Sequence, residues 1–251
     1  MTEAESQYFL SLAEEVYAQR NCISDRSLDF FSSLKGWQSH GELMVVGRAI
    51  NGWQISRKPS ELSSKIERER LLADLSAIAH PPSRCPMLWV SELWGRGNKY
   101  NTHRSAFWRV IRSAVSVLQI ANVLNADWPS YLIWSNLYKV APTSGGNPSR
   151  RLVSLQHEFC QRILQIEIQE FKPKRLLLLT GFDWFGPFLN SSVFSFNANG
   201  SGRLVLHYGK LSVAGLSFPI NTVVGVHPQG KSETRFIEEI KAAFSDLRAG
   251  V

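Results

Sequence analysis

Glu42-Leu-Met-Val-Val46 is a short run, apolar from Leu43 onward, halted by Gly47. Phe171-Lys-Pro-Lys-Arg-Leu-Leu-Leu-Leu-Thr-Gly181 repeats the pattern, with the apolar residues ending at a glycine that opens a helix-like stretch. Uninterrupted apolar runs of this length, bounded by turn formers, predict strands buried on both faces. Tyr131-Leu-Ile-Trp134 and Ile220 to Val226 read the same way, with further antiparallel strands around 203–213. Helical spacing fills the intervals. It is clearest where Phe9, Leu12, Ala13, Val16 and Tyr17 share a face over 3–20, and where Phe107, Trp108, Ile111, Val115 and Leu118 share one over 104–120. Ser149 is placed to cap a long helix reaching Phe171, and a last helix spans about 232–248. A helix is also expected near 25–35, a charged one over 60–79, and strand-like structure at Met87–Leu93. Strands alternating with helices predict an α/β fold, a three-layer α/β/α arrangement around a mostly parallel sheet of four to five strands. Residues 1–40 form a helical extension packed on a core domain of 41–251.

Composition narrows the function classes. The chain of 251 residues is 44% hydrophobic and 20% charged, an ordinary globular balance. No apolar run approaches a membrane span, and the acidic N-terminus (Glu3, Glu5, Glu14, Glu15) lacks secretory-signal character, so a cytoplasmic protein with no membrane partner is expected. Cys22, Cys85 and Cys160 lie far apart without a CxxC pair, which points to no metal and no cofactor. A net charge of +7 favours a polyanionic partner, and the eight tryptophans suit bases as well as cores.

Ligands of open α/β sheets sit beyond the carboxyl ends of strands, which singles out the loops beginning at Gly47, Ser135, Gly181 and His227. The last of these carries Gly225-Val-His-Pro-Gln-Gly-Lys-Ser232, which matches the phosphate-binding string GxxxxGK[ST] letter for letter. Two features weigh against a nucleotide there. Too little chain remains after it for the strands that supply a magnesium-orienting Asp, and Pro228 removes an amide from the cradle.

Four segments in order carry a resemblance. Met44-Val-Val-Gly-Arg-Ala-Ile-Asn51 is a strand then a loop; Ser105-Ala-Phe-Trp-Arg-Val-Ile111 opens a helix; Phe171 to Gly181 is a strand; and His227-Pro-Gln-Gly-Lys-Ser232 follows the last strand. Together they resemble the uracil-DNA glycosylase superfamily, especially its mismatch-specific uracil/thymine branch, over residues 41–251. The corresponding segments there are GINPG, N-R-F-W-K-V-I, Y-Q-P-Q…L-G, and HPSPLS or NPSGLS. The resemblance implies a monomeric, metal-independent DNA glycosylase that flips a pyrimidine from DNA and hydrolyses its N-glycosidic bond.

The chemistry needs a base out of the stack, a stabilised leaving anion and a positioned water. In the resemblance His227 stabilises charge on the pyrimidine O2, though a loop histidine can equally cap backbone. Asn136, at a strand end, carries the donor and acceptor that read a pyrimidine edge, or it is a turn former. Tyr100 falls at the position of a stacking ring. Lys231 replaces an intercalating Leu and is expected, with Pro228, Gln229 and Ser232, to contact DNA, Ser232 doubling as a helix cap. The water-positioning Asp or Asn would fall at Ala49, which can position nothing, so Asn51 is the preferred substitute, ahead of Glu92 and Asp183. Asn51 also stands where uracil enzymes exclude a 5-methyl group. With Arg48 and Trp53 beside it, a 5-modified pyrimidine becomes as good a candidate as uracil, for example a modified cytosine in invading phage DNA. The competing expectations are a catalytically inactive DNA-binding relative, supported by Ala49, and a P-loop NTPase.

Overall fold

The structure, a computed structural model, describes residues 1–96, 100–189 and 191–249. Helix α1 (Glu3–Ala18) starts where Thr2 Oγ1 accepts the Glu5 amide at 3.2 Å, and it buries Phe9, Leu12, Ala13 and Val16, the expected face. A turn of helix, α2 (Arg20–Ile23), follows. The stretch 25–35 is not helical, contrary to expectation: it forms the short strands β1 (Leu28–Phe30) and β2 (Leu34–Lys35). Leu28, Phe30, Phe31 and Leu34 are all buried. A helix there would need a polar face that these residues do not leave, so pairing in two sheets decides the conformation.

Strand β3 (Met44–Ala49) runs past Gly47, and β4 (Ser56–Arg57), a 3-10 turn (Pro59–Ser63) and α3 (Lys65–Ala79) follow. Met87–Leu93 contains the short helix α4 (Trp89–Glu92), where a strand was expected. Met87 and Val90 are fully buried three residues apart, a helical repeat that a continuous apolar run conceals. Then come α5 (Ala106–Val117), β5 (Ile133–Tyr138), β6 (Val140–Pro142) and α6 (Arg150–Phe171). Ser149 Oγ accepts the Leu152 amide at 3.3 Å, the expected cap. The chain closes with β7 (Arg175–Leu178), α7 (Phe182–Leu189), β8 (Phe194–Gly200), β9 (Val205–Val213), β10 (Ile220–Gly225) and α8 (Glu233–Ala249).

The main sheet has seven strands in the order β2-β5-β3-β7-β10-β9-β8 and is mixed. This corrects the expectation of four to five mostly parallel strands. The parallel part is β3-β7-β10, in register at Met44↔Leu176 and Val46↔Leu178 on one side and at Thr222↔Leu176 and Val224↔Leu178 on the other. Antiparallel pairing supplies β9 and β8 beyond β10 and joins β2 to β5. Leu176 to Leu178 and Met44 to Val46 are buried without alternation, as central strands require, whereas β9 alternates because one of its faces is partly wet. A second sheet, β4-β1-β6, is antiparallel, with Asp29 opposite Ser56 and Ala141.

The chain divides into two compact units. The first gathers residues 1–33, 47–81 and 135–170. Its core unites Phe9, Leu12 and Val16 with Phe30, Leu71, Leu75 and Ile163, so the first helix is integral to it. The second gathers residues 34–46, 82–134 and 171–251. There α8 packs on β9, β10 and α5 through Phe236, Ile240, Phe244 and Leu247. Among the described residues no helix is long and apolar enough to cross a membrane.

Candidate functional site

The expected site residues fall into two groups, one in each unit. In the first unit, Arg48 and Ala49 end β3 and are half-buried. Asn51 lies beyond them, exposed, and its Oδ1 accepts the Gly146 amide at 2.9 Å. Gly145 and Gly146 have φ of +85° and +87°, a left-handed pair that only glycine adopts without strain. A Cβ on Gly145 would lie 3.0 Å from the same Oδ1. Asn51 thus ties the loop after β3 to the loop after β6.

Asp29, which the sequence did not mark, completes that tie. It is fully buried and accepts from the Trp53 amide at 2.8 Å, Ser56 Oγ at 2.6 Å and Thr143 Oγ1 at 2.8 Å. A buried carboxylate with three donors is a strong organiser of backbone. Trp53 lies edge-on to Phe31, centroids 5.4 Å apart, and its ring covers the unit's core.

Asn136 is 2% exposed within β5, and its Nδ2 is buried without a hydrogen-bond partner. Buried amides are nearly always paired, and an unpaired one costs about 1–3 kcal/mol. Its neighbours on the strand behave otherwise. Lys139 Nζ, fully buried, donates to Glu167 Oε1 at 2.7 Å and to Ser135 Oγ at 2.7 Å, and Ser135 Oγ donates to Glu167 Oε2 at 2.7 Å. Glu5 belongs to the same charged cluster. Its carboxyl is pushed up to about 8, first by burial and then by the Glu167 charge, with Lys139 pulling the other way. Polar satisfaction is therefore complete on Ser135, Lys139 and Glu167 and incomplete at Asn136.

In the second unit, Tyr100 is 47% exposed, its ring 6.2 Å from that of Trp89. Asn101 Oδ1 accepts the amides of Gly95 (3.1 Å) and His103 (3.0 Å), and Thr102 Oγ1 donates to the Val90 carbonyl at 2.7 Å. Asn101 to His103, the residues after Tyr100, are thus fixed by side-chain bonds. His227 follows β10, half-buried, and its Nδ1 accepts the Gln229 amide at 3.4 Å. An acceptor at Nδ1 favours the tautomer with the proton on Nε2. The Lys231 amide donates to the Pro228 carbonyl at 3.1 Å, and Gly230 has φ +71°, so residues 228–231 make a tight turn. Pro228 is buried, while Gln229, Lys231 and Ser232 are exposed just before α8. With the Lys231 amide bonded inside the turn and Pro228 lacking one, the GxxxxGKS string does not offer a continuous row of amides to a phosphate chain.

Glu92 is ion-paired with Arg84, and Asp183 is exposed in the first turn of α7. Arg109, unmarked by the sequence, donates through Nε (2.7 Å) and Nη2 (2.5 Å) to Glu233 Oε1 and through Nη1 to the His103 carbonyl at 2.8 Å. No protein-family model matches the chain, and no curated protein is significantly similar to it in sequence.

Proposed function

We propose that the protein is a DNA glycosylase that flips a pyrimidine out of DNA and hydrolyses its N-glycosidic bond, leaving an abasic site. The observation that carries this reading is Asn136. A fully buried amide with an unpaired donor, on a strand flanked by satisfied polar groups, suits a ligand that brings its own acceptor. In uracil a carbonyl is such an acceptor and the adjacent ring N–H donates to the Asn carbonyl; in a cytosine ring N3 and the amine take those two parts. Base flipping is what would expose that edge to a protein side chain.

The other roles follow from chemistry. His227, protonated on Nε2, donates to the pyrimidine O2 as the C1′–N1 electron pair moves onto the base. Water then bonds to C1′ of the oxocarbenium-like sugar, and the proton it releases passes by way of solvent to the departed pyrimidine anion. Tyr100 offers an exposed ring to a base, and Lys231, Ser232 and the first amides of α8 suit phosphate oxygens. A three-layer α/β/α arrangement belongs to the same reading. So do a monomeric, cytoplasmic enzyme and a substrate of either uracil or a 5-modified pyrimidine such as a modified cytosine in phage DNA. Ala49 favours one second reading, a DNA-binding relative without catalysis.

The test is direct. Purified protein is incubated with duplex and single-stranded oligonucleotides carrying uracil, mismatched thymine or 5-modified cytosines, and alkali then reveals abasic sites. Cleavage of at least one substrate is expected, with His227→Ala slower by roughly 100- to 1000-fold and DNA affinity kept. DNA binding without alkali-labile sites on any substrate selects the inactive relative. Magnesium-dependent nucleotide binding that Lys231→Ala abolishes selects the NTPase.

A further inference from the structure

Residues 100–112 contain no acidic side chain, and residues 227–235 contain only Glu233. Against that single carboxylate stand Arg104, Arg109, Arg112 and Lys231, while Arg235 is ion-paired with Glu239 along α8. Glu233 Oε1 is moreover taken up by two nitrogens of Arg109, whose third nitrogen holds the His103 carbonyl. One guanidinium therefore spans two segments far apart in sequence: the 3-10 turn Thr102–Arg104 and the first turn of α8. A planar guanidinium with all three nitrogens engaged fixes distance and angle together, which an ammonium cannot do.

The turn Thr102–Arg104 is also braced by its own neighbours. Thr102 and Asn101 bond to backbone as described, and the His103 ring leans on Trp94, centroids 5.1 Å apart, with the Arg112 guanidinium 5.0 Å from the centre of the same indole. On the outer side, Tyr100, His103, Arg104, Lys231 and Ser232 are exposed. The result is a rigid, cationic surface with one flat ring at its edge.

We propose that these two segments form a single nucleic-acid-backbone surface within the second unit, and that Arg109 is its positioning residue. Arg109 acts by holding the turn Thr102–Arg104 in register with the Lys231–Ser232 turn, so that cations of both meet successive phosphates of one strand. It does not itself meet the phosphate. The proposal rests on the DNA reading above and assigns His103, Arg104 and Arg109 to it. Its occupant is a sugar–phosphate strand, because the exposed charged side chains of the two turns, Arg104 and Lys231, are both cationic and the Glu233 carboxylate between them is held by Arg109.

Charge and geometry make opposite predictions, which gives the test. Glu233→Gln removes a negative charge beside the surface, so charge alone predicts tighter DNA binding. Loss of the clasp predicts weaker binding. Arg109→Lys keeps the charge and loses the bridging geometry. Binding of a fluorescently labelled duplex with a G·U mismatch is measured for the wild type and both variants across a salt series, with circular dichroism verifying the fold. The pair is about one-third exposed, so both variants are expected to fold. Expected are roughly tenfold weaker binding in each variant and a salt slope shallower by about one counterion, because a phosphate contact is lost. Tighter binding by Glu233→Gln, or wild-type affinity and slope in Arg109→Lys, overturns the clasp while leaving the DNA reading standing. Absence of wild-type binding to both the duplex and the corresponding single strand even at low salt overturns both.

Discussion

Asn51 has its side-chain carbonyl on the Gly146 amide, and that bond changes what the residue can do. A water nucleophile needs an acceptor, and the acceptor of Asn51 is shared with a backbone donor. Its first effect is to hold the loop after β6, and under the proposed glycosylase reading turnover depends on that placement. Asn51→Ala is therefore expected to slow single turnover on uracil and on a 5-modified cytosine by a similar factor, and to speed hydrogen exchange at Gly146. Asn51→Asp keeps an acceptor for the amide and should retain the loop's protection. A change in the ratio between the two bases would instead assign Asn51 to reading the pyrimidine 5-position, a contact worth about 1–3 kcal/mol. The sequence placed Asn51 in the loop after the strand, where it lies, although the strand runs on to Ala49 instead of stopping at Gly47. It gave no sign of the bond to Gly146, because the partner lies 95 residues away and a Gly-Gly pair reads only as a turn. Asp29 was invisible for a related reason: within Leu28-Asp-Phe-Phe31 its three donors come from two distant loops.

Elements with caps and faces of their own were legible, and those made by pairing were not. Helices α1 and α6 carried both a cap and a stripe, whereas β1 and β2 owe their form to partners elsewhere in the chain. Between β5 and α6 sits the pair Lys139–Glu167, fully buried on both sides. Neither residue was marked, since an isolated Lys and an isolated Glu ordinarily lie on solvated faces. Removing one partner leaves the other charged and unpaired, so Lys139→Met is expected to cost about 3–5 kcal/mol in urea unfolding. Lys139→Met combined with Glu167→Leu should recover much of that loss. Additive destabilisation in the double variant would show that the pair is not coupled.

Over the whole molecule, α1 feels the same cluster through pH. The Glu5 carboxyl, ordinarily near 4.5, is raised to about 8 by burial and by Glu167, so the folded chain holds a proton that the unfolded chain releases. Stability from this group is complete below pH 4.5 and falls as pH rises through 8, by up to about 1.4 kcal/mol per pH unit inside that window. Lys139, Glu170 and the amino terminus modulate the value without reversing it. Glu5→Gln removes the titrating group, so its melting temperature should decline less than the wild type's between pH 5 and 8. Parallel profiles for the two proteins would assign the cluster's pH response to another group. At this scale the α/β class and the parallel strands β3, β7 and β10 were readable from continuous apolar runs. The extra strands were not, because β8 and β2 are short of apolar residues and join the sheet only at its margins.

Those margins have a consequence of their own. An open sheet ends in two unpaired rows of amides and carbonyls that can recruit a strand from another molecule and seed aggregates. Here one end is β2, just Leu34 and Lys35, with the lysine exposed. The other is β8, whose middle is polar and whose register slips between Ala198 and Gly200. A two-residue ledge and a kinked, hydrophilic one are poor templates for growth. The molecule can thus carry a broad sheet and still resist fibril-like stacking when it is crowded.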